Sequence, residues 1–243
     1  MAEHIYPEGI RTNVLAGMYS EIAMESYFYA KKYHDILKEN NYSAFFVQEE
    51  QEMYKNIVKT VVFSAMSIES FFNDYAAACL GDSEFYSNFD KLSSLGKFQL
   101  IAKFILKSKV EKEEKYYFYL KTLFSLRDSY VHNKSTQKEI DGFTNLEDFL
   151  GFFEKLHKGE FVAEPLSLGK SEIDNDYKGA VNALKAIKEI ALYFDKYDAN
   201  RFAIQSLLHP LGLKLGSEKE KEYKAVAFKE LGIKADGYYE IQI

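Results

Sequence analysis

The sequence predicts an all-α fold, and three observations carry the prediction. Proline and glycine, the strongest helix breakers, are scarce, with three prolines and thirteen glycines in 243 residues. Apolar side chains recur at three- and four-residue steps over long runs, which is the period of a helix face and not of a strand. The apolar share of 47% supports a substantial core beneath such faces. No repeat and no Pro- or Ser-rich linker divides the chain. A single domain over residues 1–243 is therefore expected, its helices covering one another's apolar sides.

The first helical run covers residues 14–37, with Asn13 as N-cap and Asn40 and Asn41 as its stop. The second begins near Ser43 or Ala44 and reaches Leu80, where Gly81 supplies a C-terminal stop. Within it Val61, Ala65, Ile68, Phe72, Tyr75 and Cys79 form one seam. A third helix over residues 94–106 carries Phe98, Ile101, Ala102 and Ile105 on one side. The fourth, residues 111–132, opens with Glu111, Glu113 and Glu114, acids that suit the positive end of a helix dipole. Residues 135–172 are punctuated by Gly142, Gly151, Gly159, Pro165 and Gly169 and read as a long insertion with one short amphipathic piece at 146–156. A fifth helix over 175–197 presents Val181, Leu184, Ile187, Ala191 and Phe194 to the core. Residues 210–243 form a C-terminal extension, with a weak helix at 218–231 and an alternating segment at 238–243 expected to be a terminal strand.

With 37 acids against 31 bases the net charge is −6, which predicts a soluble protein. Cys79 is the only cysteine, so no intramolecular disulfide can form and a reducing, cytoplasmic setting is expected. Its apolar neighbours read it as a small buried hydrophobe and not a nucleophile. Residues 1–7 have no basic stretch leading into an apolar one, so no signal peptide is visible. No apolar run approaches the ~18 residues of a membrane span.

The chemistry concentrates in Ser125-Leu126-Arg127-Asp128-Ser129-Tyr130-Val131-His132-Asn133. An arginine can hold a phosphate bidentately, and histidine moves protons near neutral pH. Of five histidines only His132 has such company in the sequence. On a regular helix Arg127 and His132 are roughly 140° apart and about 7.5 Å apart along the axis. A joint site therefore needs an irregular helix end at His132, or the same segment from a second subunit. Asp128 and His132, at i and i+4, face each other, and Ser125, Ser129 and His132 share one polar stripe. A structural reading stands beside this one. Glu69 and Asn73 lie one turn apart beside the apolar seam and are costly to desolvate unless paired. Arg127 is the obvious cation for them, with Asp128 and His132 as an ordinary helix-end pair.

Residues 91–138 hold eleven Lys or Arg against four Asp or Glu, a basic stretch inside an acidic chain. That is what a local polyanion site requires, or else these are lysines solvating two exposed helix faces. Interleaved Tyr116, Tyr117 and Tyr119 could stack on bases or belong to the core. None of the other histidines has ligand-like neighbours, and neither a metal nor a cofactor is expected.

Ser64-Ala65, Ile68-Glu69, Phe71 and Asn73, followed by Leu126-Arg127-Asp128 and Val131-His132-Asn133-Lys134-Ser135, resemble the HEPN superfamily. The resemblance covers residues 43–135. The superfamily's R-x4-6-H motif is matched by Arg127, Asp128 and His132, with Asp where the commonest pattern has Asn. The resemblance implies a HEPN-like bundle of four or five helices and, in active members, metal-independent cleavage of RNA by attack of the ribose 2′-OH. It assigns catalysis to Arg127 and His132 with Asp128 orienting the imidazole, substrate contact to Ser129 and Asn133, and phosphate contact to Lys121 and Lys134. It further implies a homodimer in which two motifs meet, and a role as a toxin or antiphage ribonuclease, with an antitoxin as partner in some systems. Other members bind nucleotide, RNA or protein without cleavage, and there the motif is mainly structural. A third alternative is a purely structural or regulatory helical protein that pairs through a Tyr- and Phe-rich face.

Overall fold

The computed structural model describes residues 14–43, 46–132, 170–198, 202–208 and 218–233. Among these residues the structure is helical, with no strand. Asn13, Asn133, Lys134, nearly all of the 135–172 insertion and the expected terminal strand lie outside the described residues.

Helix α1, Val14–Glu39, is built to approach a neighbour closely. Ala16, Ala23 and Ala30 recur every seven residues and are fully buried, flanked by buried Met24 and Tyr27. Small side chains on that line let α2, Val47–Leu80, lie against α1 over the most extensive helix contact of the structure. The Ser67 hydroxyl crosses it, donating to the carbonyl of Ala16 at 2.7 Å. α1 ends where expected: Asn41 and Tyr42 adopt positive φ, and the Tyr42 N–H reaches back to the Leu37 carbonyl at 2.8 Å. The α2 seam from Val61 to Tyr75 is buried as the spacing predicts, and Cys79 is half-buried at its end. Burial pushes the Cys79 thiol up to about 11, so it stays protonated near neutral pH.

After Gly81 comes a short helical turn, Asp82–Glu84, and a π turn, Phe85–Phe89. Helix α3, Ser94–Leu100, is capped by the Ser93 hydroxyl, which accepts from the Gly96 N–H at 3.2 Å. It widens into a second π turn, Ile101–Ile105. Helix α4, Lys115–Val131, begins four residues later than the acids suggest. The Tyr116 hydroxyl accepts the Glu111 N–H at 2.6 Å and holds that segment as a loop. Helix α5, Lys170–Tyr197, starts earlier than expected and buries Ile173 in its first turn. A six-residue helix α6, Phe202–Leu207, which the sequence did not announce, and α7, Glu218–Leu231, complete the order.

The core joins α2, α3 and α5 through aromatic rings. Phe194 meets Phe71 edge-on at 4.8 Å and Tyr75 at 5.1 Å, while Phe98 stacks on Phe72 at 5.7 Å and meets Tyr193 at 5.1 Å. Such pairs add about 0.5–1.5 kcal/mol each beyond the area they bury. This aromatic block, with α4 laid against α5 and α2, sets where the last turns of α4 stand.

Candidate functional site

Arg127 lies in the last turns of α4, over the polar side of α2. Its Nη1 is 3.8 Å from Glu69 Oε2. Its Nε is 2.9 Å from Asp128 Oδ1, but the N–H is not aimed at that oxygen, so this is a charge contact and not a hydrogen bond. The guanidinium also sits 5.3 Å from the centre of the Phe124 ring. The Arg127 side chain keeps 28% of its surface exposed, so two carboxylates and a ring orient it without closing it off.

Glu69 and Asn73 have a second cation that the sequence reading missed. Lys97 of α3 is buried and donates to Asn73 Oδ1 at 2.8 Å, with its ammonium 3.7 Å from Glu69 Oε1. The signal was present: Lys97 shares the buried stripe of Ser94, Phe98 and Ile101, at helical spacing. A lysine on such a stripe needs a partner in the core. Arg127 and Lys97 thus divide Glu69, and Asn73 belongs to Lys97.

His132 is exposed and ends α4 with φ −107° and ψ 42°, outside the helical region. Its N–H still reaches the Asp128 carbonyl at 3.0 Å. Among the described residues the Asp128 carboxylate makes its charge contact with Arg127 and not with His132. Ser129 is exposed and its hydroxyl donates to the Leu126 carbonyl at 2.7 Å. Lys121 is exposed two turns before Asp128. The structure therefore gathers Arg127, Asp128, Glu69, Lys97 and Asn73 into one charged cluster. His132, Ser129 and Lys121 stand on solvent-facing positions of α4 outside it.

Tyr116, Tyr117 and Tyr119 are all partly buried against the core. Tyr116 packs on Tyr193 at 4.5 Å, and the Tyr117 hydroxyl accepts from Gln99 at 3.3 Å. Their rings serve packing.

His34, which the sequence reading passed over, also has company. It is buried, lies flat on Tyr177 at 4.1 Å, and its Nε2 is 2.9 Å from Asp174 Oδ1. A carboxylate only accepts, so Nε2–H donates. Tyr42 donates to the same oxygen at 2.8 Å, and Tyr177 and Tyr27 share a hydroxyl contact at 2.7 Å. His34 and Tyr42 hold the Asp174 carboxyl below the usual carboxylate range. This network joins α1 to α5.

Neither protein-family models, nor curated proteins, nor solved structures give a match to this chain. Among the described residues no group of three or more His, Cys, Asp and Glu is placed to hold a metal ion, and no helix is long and apolar enough to cross a membrane.

Proposed function

We propose that this chain is a HEPN-like endoribonuclease that cleaves RNA at a site formed when two copies bring their Arg127–His132 segments together. One observation carries the reading: Arg127 is held in orientation by Glu69 and Asp128 yet remains accessible, and α4 loses its helical geometry at His132. Within one chain His132 stands outside the Arg127 cluster, so the site is completed by the segment of a second copy. In this mechanism the ribose 2′-oxygen attacks the adjacent phosphorus and the bond to the 5′-oxygen breaks. A proton leaves the 2′-hydroxyl and another reaches the departing 5′-oxygen, traffic assigned to His132. Arg127 balances charge on the phosphoryl oxygens. The products are a 2′,3′-cyclic phosphate and a 5′-hydroxyl. A place in toxin–antitoxin or antiphage defence is the corresponding biological setting.

The test is cleavage of labelled RNA by the purified protein in the presence of a chelator. Cleavage leaving a 2′,3′-cyclic phosphate is expected, and His132→Ala should slow it by about 10²–10⁴-fold with unchanged circular dichroism. Undiminished cleavage by that variant would remove His132 from the site.

A second reading is favoured by the two carboxylates that already engage Arg127. In it the chain is a non-catalytic HEPN-like module that binds nucleotide, RNA or a protein partner, and Arg127 is structural. Arg127→Ala would then lower the thermal midpoint sharply, while His132→Ala would alter neither fold nor function.

A further inference from the structure

The loop between α3 and α4 holds a cavity of about 630 Å³ lined by Lys103, Lys107, Lys109 and Lys112 together with Gln99 and Ser108. All four lysines are exposed. Among the described residues only Lys109 of these has a carboxylate nearby, Glu111 at 3.7 Å, and both of those side chains are largely in solvent. Glu113 and Glu114 do not line the cavity.

The loop that presents these lysines is fixed at several points. The Ser108 N–H and hydroxyl both reach the Ala102 carbonyl, at 2.8 and 3.1 Å, and the hydroxyl lies 2.7 Å from that of Tyr193. Tyr116 holds Glu111 from the other side. Lys107 adopts φ 52°, a left-handed conformation that costs a non-glycine residue on the order of 1 kcal/mol. The preceding π turn, Ile101–Ile105, is a form often found at functional sites. Four like charges thus line one cavity, Lys103 from the π turn and the other three from the fixed loop after it, and an anion would relieve their mutual repulsion.

Two further features identify the anion. Phe104 and Phe118 are 51% and 58% exposed, and they flank the lysine loop in sequence. From Phe118 the exposed positions of α4 on one helix face run Lys121, Ser125, Asp128, Ser129 and His132, so the face carries one carboxylate, which is already engaged by Arg127. That face extends about 21 Å from Phe118 to His132. Lys103 stands 5.4 Å from the centre of the Phe104 ring, and a point charge for phosphate beside an open ring for a base is what a single strand recognises.

We propose that the lysine cavity and the solvent face of α4 form one track for single-stranded RNA, with the cavity gripping the strand and the α4 face leading it toward His132. The proposal rests on the ribonuclease reading for what happens at His132, but strand binding itself does not depend on cleavage. The experiment measures fluorescence anisotropy of a labelled, uncleavable 2′-O-methyl strand of about twelve nucleotides across a salt series. The variants are Lys103→Gln/Lys107→Gln/Lys109→Gln combined, and Phe118→Ala. The combined lysine variant should weaken binding at least about tenfold near 0.1 M salt and lower the slope of log affinity against log salt by about 2. Phe118→Ala should weaken binding by about tenfold. Unchanged affinity and slope in the lysine variant would overturn the proposal. So would equal affinity for a duplex of the same length, or full displacement of the strand by inorganic tripolyphosphate with Phe118→Ala binding normally, which would mark a compact-anion pocket. Cleavage is assayed separately on unmodified RNA. Lysine-dependent binding without cleavage retires the ribonuclease and keeps the track; cleavage that ignores the lysines does the reverse.

Discussion

Lys97 is the residue on which the polar side of the bundle turns. Its ammonium is buried against Asn73, with Glu69 as a more distant counter-charge. Hydrogen bonds to charged groups are worth about 1.5–3 kcal/mol net, so Asn73→Ala should cost about 2 kcal/mol in a urea titration. Adding Lys97→Met should recover part of that loss, because the stem's volume stays while the stranded charge goes; strict additivity would show that the two are not coupled. Asp174 makes a second prediction at this scale. Its folded-state carboxyl lies below the usual range, first through His34 and then through Tyr42. The stabilisation is therefore present above the ordinary carboxylate pKa of about 3.9 and lost as pH falls through the lower folded value. Asp174→Ala should be less stable than the native chain at pH 5, and the gap should narrow in acid below about pH 4. A constant gap in urea midpoints down to pH 2.5 would contradict the assignment. This network leaves no local mark in the sequence, because His34 and Asp174 are 140 residues apart. A histidine's neighbours along the chain say nothing of its neighbours across helices.

At the scale of the elements, the long helices were readable because each repeats its apolar spacing over several turns. The α2 seam and the buried positions of α5 fall where the period puts them. Ends were harder. The acids before α4 looked like a first helical turn, yet Tyr116 holds Glu111 outside the helix. The π turn after α3 and the left-handed Lys107 left no mark in the sequence, since each depends on Ser108 reaching Ala102 and Tyr193. α6 has six residues, too few for periodicity to register. Of the charged cluster, Arg127, Glu69 and Asn73 were anticipated, but which cation serves which partner depended on the crossing of α3 and α2. Gly81 is the boundary that can be tested most directly. At φ 84° and ψ 154° it occupies a region essentially reserved for glycine, while its N–H closes α2 on Ala77. Gly81→Ala should cost about 1–3 kcal/mol although its added Cβ would meet no atom within 4 Å. A neutral outcome in thermal unfolding would mean the backbone there relaxes freely.

At the scale of the whole molecule, aromatic and hydroxyl contacts join helices that are far apart in sequence. α7 latches onto the bundle through Lys224, which donates to Glu21 at 2.9 Å, and through Lys188 of α5, which donates to the Leu231 carbonyl. The Tyr27–Tyr177–His34 stack joins α1 to α5, and Tyr193 links α5 to the lysine loop. These joints have a spectroscopic consequence. The chain has nineteen tyrosines and no tryptophan, so ionised phenol dominates its absorbance near 295 nm in alkali. Burial pushes Tyr42, Tyr177 and Tyr193 up to about 12 and Tyr27 further still. Each binds its proton more tightly in the folded chain than in the unfolded one. Their contribution is therefore whole below about pH 10 and lost as pH rises through the folded values. In an alkaline titration the helix-joining phenols should ionise only above the ordinary phenol pKa of about 10, in a steep step that coincides with loss of helical ellipticity.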